Sequence, residues 1–317
     1  WRRLSAAGAL VLIGACVTTR LGVPVTEPIR VIGPPRTVPD TVAAKAPVPR
    51  AEEMPRDEAP DFRREGDRDV RVALATAASI PGVAATGAWR LFDDGESVLL
   101  RGRPGETWVL EHRAGQLRAM RSDGFTTAWR VAPLVLRTDR DDDQVLFNGK
   151  RYRGVLRYFP ADDGASVMVV NVLGVEQYLR GVVPLEIGGS RTAAEQAAVQ
   201  AQAVAARSYT FVRLAAAGGT AARHANYDVV AGTSDQVYGG MDGERPFADA
   251  AVAATASLVL KHGGRTVDAP YSAACGGESA SADEVWRSGG AAYLRRVSDR
   301  IPGTQRYYCD PAPRFAW

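Results

Sequence analysis

The chain has 317 residues, enough for about two domains of ordinary size. Hydrophobic residues make up 46% of it and charged residues 24%, which excludes collagen-like, wholly disordered and polytopic membrane proteins. The formal net charge is only +3, so the composition gives no reason to expect a nucleic-acid partner.

The first 15 residues have the features of a secretory signal peptide. Arg2 and Arg3 precede an apolar run that is too short to span a bilayer and that ends in small residues. The run closes in Ile-Gly-Ala-Cys, which resembles a bacterial lipoprotein box and implies that Cys16 is acylated. The alternative is a plain signal peptide that happens to contain a cysteine.

A lipidated Cys16 would make the chain an exported protein, anchored to a membrane and facing the periplasm or the cell surface. Val17, rather than an acidic residue, follows the cysteine. In a bacterium with two membranes, this favours the outer membrane.

Residues 16–69 differ in composition from the rest of the chain. Nine of the 19 prolines lie here, and Phe62 is the only aromatic residue. Such a segment buries too little apolar surface to offset the entropy of ordering it. We therefore predict an extended, disordered tether, with folding beginning near Val70.

Short alternating apolar runs separated by turn residues follow the predicted tether. Because this pattern is typical of β-hairpins, residues 70–144 are predicted to be a β-rich part. Asn148-Gly149 is the clearest turn, at the start of a second part over residues 145–317. The predicted strands lie at residues 70–74, 97–100, 107–110, 145–147 and 167–170.

A long helix is predicted over residues 193–217. Thr192 and Glu195 form a capping box, and Gly218 provides the stop. On this helix Gln200 and Arg207 share one face, where an elongated polymer could meet both, although an ordinary solvated stripe is the alternative. A second helix is predicted over 247–256, followed by a hairpin that turns at residues 263–264. The fold class is therefore α+β, with a β-rich N-terminal lobe packed against a mixed α/β lobe.

Three cysteines occur in the chain. Once Cys16 is set aside, Cys275 and Cys309 remain as an even pair. In an exported protein such a pair is expected to form a disulfide.

Eight short segments follow one another along the second half of the chain. They are YRG at 152–154, VNV at 170–172, EQYLRGVVPLE at 176–186, AQAVAARSY at 201–209, DQVYGG at 235–240, YSAACGG at 271–277, VW at 285–286 and YL at 293–294. Their order and spacing resemble the SpoIID/LytB family of bacterial cell-wall proteins over roughly residues 145–299. The resemblance implies that peptidoglycan glycan strands are the partner. Some members are lytic transglycosylases, which cleave strands without stem peptides, and others are modifiers of cell-wall amidases.

The resemblance also implies roles for individual residues. Glu186 falls on the acidic residue of the Pro-x-Glu motif that the family uses as catalytic acid. Arg207 would orient Glu186 or hold the substrate, and Tyr271 would act beside them. The residues expected to contact the substrate are Gln202, Gln236, Ser272, Gly276 and Gly277.

Glycosidic chemistry is compatible with a single carboxylate at this site. A hydrolase needs two, but a transfer to the sugar's own 6-hydroxyl can use one group as acid and then as base. Glu186 lies between apolar residues and Gly188-Gly189, which would partly bury it. We expect no cofactor.

Two departures from the family pattern stand out. Some members bind zinc near the Gln-Val-Tyr segment, but here Asp235 precedes Gln236 and His224 alone cannot form a zinc site, so no metal is expected. Gln200 replaces a lysine that is common in the family.

Rival interpretations remain open from the sequence. In one, Cys275 is the thiol nucleophile of a peptidase or amidase, with His262 or His224 as base. In another, the protein is a non-enzymatic module that binds glycan or stimulates an amidase. Tyr238, Trp286 and Tyr293 could stack on sugars, although packing in the core is favoured for all three. Each of the three lies in one of the resembling segments.

Overall fold

A computed structural model describes residues 61–64, 68–216, 224–286 and 291–311. All of them belong to one unit, Pro55–Trp317. Residues 1–15, Cys16 and most of the predicted tether lie outside the described residues. None of the helices in the described ranges has the length and apolar character that a membrane crossing requires.

Strands and helices follow one another along the chain largely as the sequence predicts. The strands are β1 (Asp61–Arg64), β2 (Asp69–Ala78), β3 (Gly82–Ala85), β4 (Trp89–Phe92), β5 (Val98–Gly102), β6 (Trp108–Arg113), β7 (Gln116–Met120), β8 (Arg130–Val131), β9 (Leu134–Thr138), β10 (Val145–Phe147), β11 (Lys150–Tyr152), β12 (Val155–Pro160), β13 (Val167–Gly174), β14 (Val229–Val230), β15 (Leu258–His262) and β16 (Arg265–Thr266). The α-helices are α1 (Val175–Ile187), α2 (Gln196–Ala216), α3 (Pro246–Ala254) and α4 (Ala282–Val285).

Seven strands form the largest sheet, in the order β14-β2-β13-β12-β9-β4-β5. Within it β14 runs parallel to β2, and the other neighbours are antiparallel. Along β13, Val167, Val169 and Leu173 enter the main core, whereas Met168 and Val170 enter a smaller core on the other face. Burial on both faces explains why this strand is a nearly continuous apolar run.

A second sheet has six antiparallel strands in the order β11-β10-β3-β6-β7-β8. The predicted turn between β10 and β11 is confirmed. Asn148 and Gly149 adopt φ values of 50° and 74°, as a two-residue hairpin turn of this type requires.

The third sheet corrects one boundary of the predicted tether. Residues 61–64, which the sequence assigns to a disordered segment, form β1 and pair antiparallel with β15. β15 also pairs with β16 in the predicted hairpin. Without β1, one edge of β15 would leave its backbone groups unpaired, so the hairpin supplies the template for this strand.

The long predicted helix is confirmed. Thr192 and Glu195 make both hydrogen bonds of the capping box around a 3₁₀ turn at Ala193–Glu195, and α2 continues to Ala216. Neither glycine nor proline interrupts it, and most of its residues have high helix propensity. The second predicted helix is present as α3.

Helix α1 packs directly against the chain that follows β14. A Cβ at Gly181 would lie 2.7 Å from Cε2 of Tyr238 and 2.8 Å from the carbonyl oxygen of Gly240. Only glycine permits this approach, which brings the Gln-Val-Tyr segment beside the helix. Helix α1 ends at Gly188, whose φ is 100°.

One buried core spans both the β-rich and the helical parts, and the predicted α+β class is confirmed. Trp89 and Val182, for example, belong to the same cluster. β2 lies between β13 and β14, so strands from either side of residue 144 share one sheet. The division of domains at that residue stays a prediction.

Candidate active site

Helix α1 carries a glutamate near each end. Glu176 and Glu186 are ten residues apart, which places them about 15 Å apart along the helix axis. Their surroundings differ, and the difference decides which of them is available for chemistry.

Glu176 is held by Arg207 of α2. The guanidinium donates two parallel hydrogen bonds of 2.8 Å, from Nε to Oε1 and from Nη2 to Oε2 of Glu176. Arg207 has no exposed surface, and its Nη1 also donates to the carbonyl of Leu258 at 3.1 Å. Such paired geometry compensates for burial of the guanidinium, while the side chain of Glu176 stays 27% exposed.

This placement corrects the role predicted for Arg207. The guanidinium lies at the Glu176 end of α1, so it neither orients Glu186 nor is exposed to a polymer. The face it shares with Gln200 is therefore not a shared binding surface. Arg207 joins α1, α2 and the start of β15, since Leu258 is the first residue of that strand.

Gln236 is the centre of a buried hydrogen-bond network, not a residue that faces substrate. It is fully buried. Its Oε1 accepts from the hydroxyls of Tyr178 at 3.2 Å and Thr210 at 2.9 Å, and its Nε2 donates to the carbonyl of Ala206 at 3.2 Å and to the hydroxyl of Tyr271 at 2.9 Å. All four hydrogen-bonding positions of the amide are thus occupied.

The network fixes the direction in which Tyr271 can donate. Because the carbonyl of Ala206 can only accept, the end of the amide that faces both Ala206 and Tyr271 must be the nitrogen, and the tyrosine oxygen accepts. The tyrosine proton is therefore left for another acceptor. Burial raises the pKa of Tyr271 above its ordinary range, the Gln236 hydrogen bond opposes this, and the nearby charge of Glu186 adds to it. Tyr271 is thus a neutral donor beside Glu186.

Glu186 lies in the last turn of α1 and is half-buried. Its Oε1 accepts a hydrogen bond of 2.6 Å from the backbone N–H of Val237. Within the described residues no hydrogen bond occupies Oε2. The carboxyl group is therefore held at one oxygen, which leaves the other for a ligand.

The remaining predicted substrate contacts occupy varied positions. Gln202 is half-buried on α2, and its Nε2 is shielded from solvent without a hydrogen-bond partner in the described part of the chain. Ser272 is exposed and donates to the carbonyl of Ala274. Gly276 and Gly277 have φ values of 70° and 95°, so this loop depends on glycine.

The three aromatic residues that could stack on sugars differ in how far they are buried. Tyr238 is in the core as predicted, where its hydroxyl donates to Oδ1 of Asn171 at 3.0 Å. Tyr293 is half-buried, with its ring centroid 5.4 Å from that of His262. Trp286 is 47% exposed, so the core interpretation is wrong for this residue.

Cys275 and Cys309 are neighbours. Their sulfur atoms lie 3.4 Å apart as free thiols, so the covalent bond stays a prediction. Asp299 completes a group of three possible metal-ligand atoms that lie within 4.8 Å of one another. The sequence predicts no metal, and this group is where an ion could bind in the described part of the chain. Desolvation, Asp299 and Cys275 together raise the pKa of Cys309 to about 11.

The contacts of the thiols and imidazoles do not favour a thiol nucleophile. In the described ranges no imidazole hydrogen-bonds to Cys275. His224 instead contacts Asp162 at 3.3 Å and stacks on Tyr227, whereas His262 packs on Tyr293. A thiol without an adjacent base lacks the activation that this chemistry needs.

Part of the chain matches a known family. Residues 163–262 match the family described as SpoIID, Stage II sporulation protein. We call these residues the SpoIID domain after the family that they match. The domain contains both glutamates of α1, all of α2, and the Gln-Val-Tyr segment that holds Glu186.

Two curated relatives resemble a larger part of the chain than the SpoIID domain alone. An uncharacterised protein of Brachyspira hyodysenteriae (strain ATCC 49526 / WA1) is 33% identical over 147 residues, which is 45% of this chain and 37% of the relative. A protein of Bacillus subtilis (strain 168) named "Amidase enhancer" is 30% identical over 184 residues, or 58% of this chain and 24% of the relative. The chain thus spans less than two fifths of either relative. No solved structure matches it.

Tyr271 lies beyond the end of the SpoIID match, as do both glycines of the loop and both cysteines. Hydrogen bonding nevertheless joins Tyr271 to the SpoIID domain through Gln236. Sequence reasoning missed Glu176, which lies inside a recognised segment but carries no role there. It also missed the Val237 N–H, because a backbone donor leaves no trace in residue type.

Proposed function

We propose that this protein acts on peptidoglycan as a lytic transglycosylase that cleaves glycan strands lacking stem peptides, with Glu186 as general acid and then general base. The SpoIID domain supports a function in the cell wall. The proposal of a transglycosylase rests on the surroundings of Glu186. One backbone N–H holds its carboxyl group, and Tyr271 lies beside it.

The reaction requires only one carboxyl group. Protonated Glu186 gives its proton to the glycosidic oxygen as the bond from C1 to that oxygen breaks. The resulting carboxylate accepts the proton of the sugar's 6-hydroxyl while the oxygen of that hydroxyl forms a bond to C1. A 1,6-anhydro end forms, no water is consumed, and the carboxyl group returns to its starting state.

The neighbours of Glu186 suit this cycle. The Val237 N–H fixes Oε1, so the carboxyl cannot rotate freely between its two tasks. Tyr271 is directed by Gln236 to donate, so it can hold a hydroxyl or N-acetyl oxygen of the sugar close to Glu186. Pre-positioned donors of this kind lower the barrier because they need no rearrangement during the reaction.

A second candidate function is a non-enzymatic module that binds glycan and stimulates a cell-wall amidase. The relative named "Amidase enhancer" supports it. In this alternative Glu186 contacts sugar without transferring a proton.

Product analysis on denuded glycan strands separates the candidates. Wild-type protein should release anhydro-muramyl ends. Glu186→Gln should lower the rate about 10²- to 10⁴-fold while leaving glycan binding nearly unchanged. Glu278→Gln is the matched control, because it removes an exposed carboxylate from the surface of the same unit.

Each outcome decides the proposal. Equal cleavage by wild type and Glu186→Gln contradicts the role of Glu186. Reducing ends in place of anhydro ends indicate a hydrolase. If neither protein cleaves but both bind strands, the binding or amidase-stimulating module is correct.

We also propose that the chain is exported and held at a membrane through acylated Cys16, with the proline-rich segment as a tether. A membrane anchor would keep the SpoIID domain within reach of the cell wall. The mass of the mature protein tests this. An N-terminus other than Cys16, or one without lipid mass, contradicts it.

A further inference from the structure

A cleft lies beside Pro270, the residue before Tyr271. Its volume is about 380 Å³, within the range of about 300–1,000 Å³ that small-molecule sites occupy. Side chains from distant parts of the chain form its walls, among them Arg213, Asp268, Trp286 and Tyr293. None of these residues takes part in the proposed reaction.

One wall carries an ion pair that has spare hydrogen-bonding capacity. Nη1 of Arg213 donates to Oδ2 of Asp268 at 3.2 Å, and the guanidinium lies 4.1 Å from the ring centroid of Tyr209. A guanidinium has five N–H donors, so this pair leaves donors for a ligand beside the carboxylate acceptor. Nε of Arg213 also lies 4.0 Å from Oδ1 of the buried Asp235, so the cation is already paired and the wall suits a neutral molecule that both donates and accepts.

The other wall offers an aromatic face. Trp286 follows the short helix α4, and its side chain is 47% exposed at the cleft. Tyr293 is fixed beside it, because its hydroxyl accepts a hydrogen bond from the backbone N–H of Asp268 at 3.2 Å. An apolar ring face next to a polar pair matches a sugar ring, which has C–H groups on its faces and hydroxyls at its edge.

Helix α2 connects this cleft to the candidate active site. Gln202, Tyr209 and Arg213 lie within about 40° of one another around the helix, along about 16 Å of its length. Tyr271 interacts electrostatically with both Tyr209 and Glu186, and the residue before it, Pro270, lines the cleft. One extended ligand could therefore contact Glu186 and the cleft together.

We propose that this cleft is a distal saccharide subsite, which binds a neutral N-acetylated sugar ring of the glycan strand on which Glu186 acts. Trp286 stacks on the ring, while Arg213 and Asp268 hydrogen-bond to its edge. The inference rests on the proposed function for its substrate class, but it does not need cleavage to occur.

The test uses chitin oligosaccharides, which are neutral N-acetylglucosamine polymers, and calorimetric titration of the full chain. All variants carry Glu186→Gln so that no turnover disturbs binding. Trp286→Ala should bind the hexasaccharide about tenfold more weakly and change disaccharide binding less than twofold. Asp268→Asn should weaken hexasaccharide binding in the same direction. Tyr308→Ala is the control, since Tyr308 is 56% exposed and does not line this cleft.

Unchanged hexasaccharide affinity in both cleft variants overturns the subsite, as does an equal loss for short and long oligosaccharides. Thermal unfolding of each variant checks that the fold is intact. If wild type cleaves no strand but Trp286→Ala still loses hexasaccharide affinity selectively, the proposed reaction fails and the subsite stands. If cleavage depends on Glu186 but the titrations show no loss, the reaction stands and the subsite fails.

Discussion

The two ends of helix α1 carry the same residue type in opposite situations. Glu176 meets a fully buried arginine through two hydrogen bonds and also accepts from the backbone N–H of Ser257 at 3.0 Å. Glu186 accepts one backbone hydrogen bond and is otherwise open within the described residues. A carboxylate whose two oxygens are both hydrogen-bonded to the protein stabilises the fold, whereas one with a free oxygen can meet a ligand.

Two other polar side chains of the molecule are structural in the same way as Glu176. Arg207 and Gln236 are both completely buried, and both are fully engaged by protein groups. They hold helices α1 and α2 in place around the site and do not themselves touch substrate. Changing glutamate to glutamine should therefore lower the stability of the fold at Glu176 but leave it nearly unchanged at Glu186.

The largest effect on stability is expected for Glu176→Gln. It leaves the buried guanidinium of Arg207 without a counter-charge, which should lower the free energy of unfolding by about 3 kcal/mol. Urea-induced unfolding followed by circular dichroism measures this. The double variant Glu176→Gln/Arg207→Leu removes the stranded charge and should lose less than the sum of the two single changes. Additive losses would show that the pair is not coupled.

A smaller loss is expected for Gln236→Leu. The fully buried hydroxyl of Tyr178 would lose its acceptor, and Thr210 and Ala206 would each lose one of their partners, at a cost of about 1–3 kcal/mol. Thermal unfolding should show a lower Tm. Thr210→Val is the milder control, because Gln236 then keeps three of its four hydrogen bonds. A Tm for Gln236→Leu at or above that of the control would contradict the network.

The smallest effect is expected for Glu186→Gln, which should change the free energy of unfolding by no more than about 0.5 kcal/mol. The amide keeps an oxygen that can accept from the Val237 N–H. Urea-induced unfolding beside Glu176→Gln provides the contrast directly. A loss as large as that of Glu176→Gln would make Glu186 a structural residue and weaken its proposed catalytic role.

Local signals in the sequence were sufficient for the regular elements of the fold. The capping box of Thr192 and Glu195 predicted where the helical segment begins, and Asn148-Gly149 predicted its hairpin, because both depend on residues a few positions apart. β1 was missed because alternating charges hide a strand whose pairing is supplied by the distant β15.

The site was predicted only in part for a related reason. Helical spacing shows which residues share a face, but it does not show which element covers that face, so Arg207 was expected near the wrong glutamate. Gln236 was expected to face substrate, since the sequence does not reveal the three elements that surround it. The cleft of Arg213, Asp268 and Trp286 joins residues dozens of positions apart and had no local signal at all.

The position of β2 sets the order in which the chain can fold. Its neighbours are β13 and β14, and Arg71 within it pairs with Asp228, 157 residues further along. Folding is slow when loops this long must close, because the chain loses entropy before the contacts between the strands form. Until β14 has paired with it, β2 keeps an unpaired edge that can bind other chains. A fragment ending at residue 144 would lack both neighbours of β2 and should therefore aggregate.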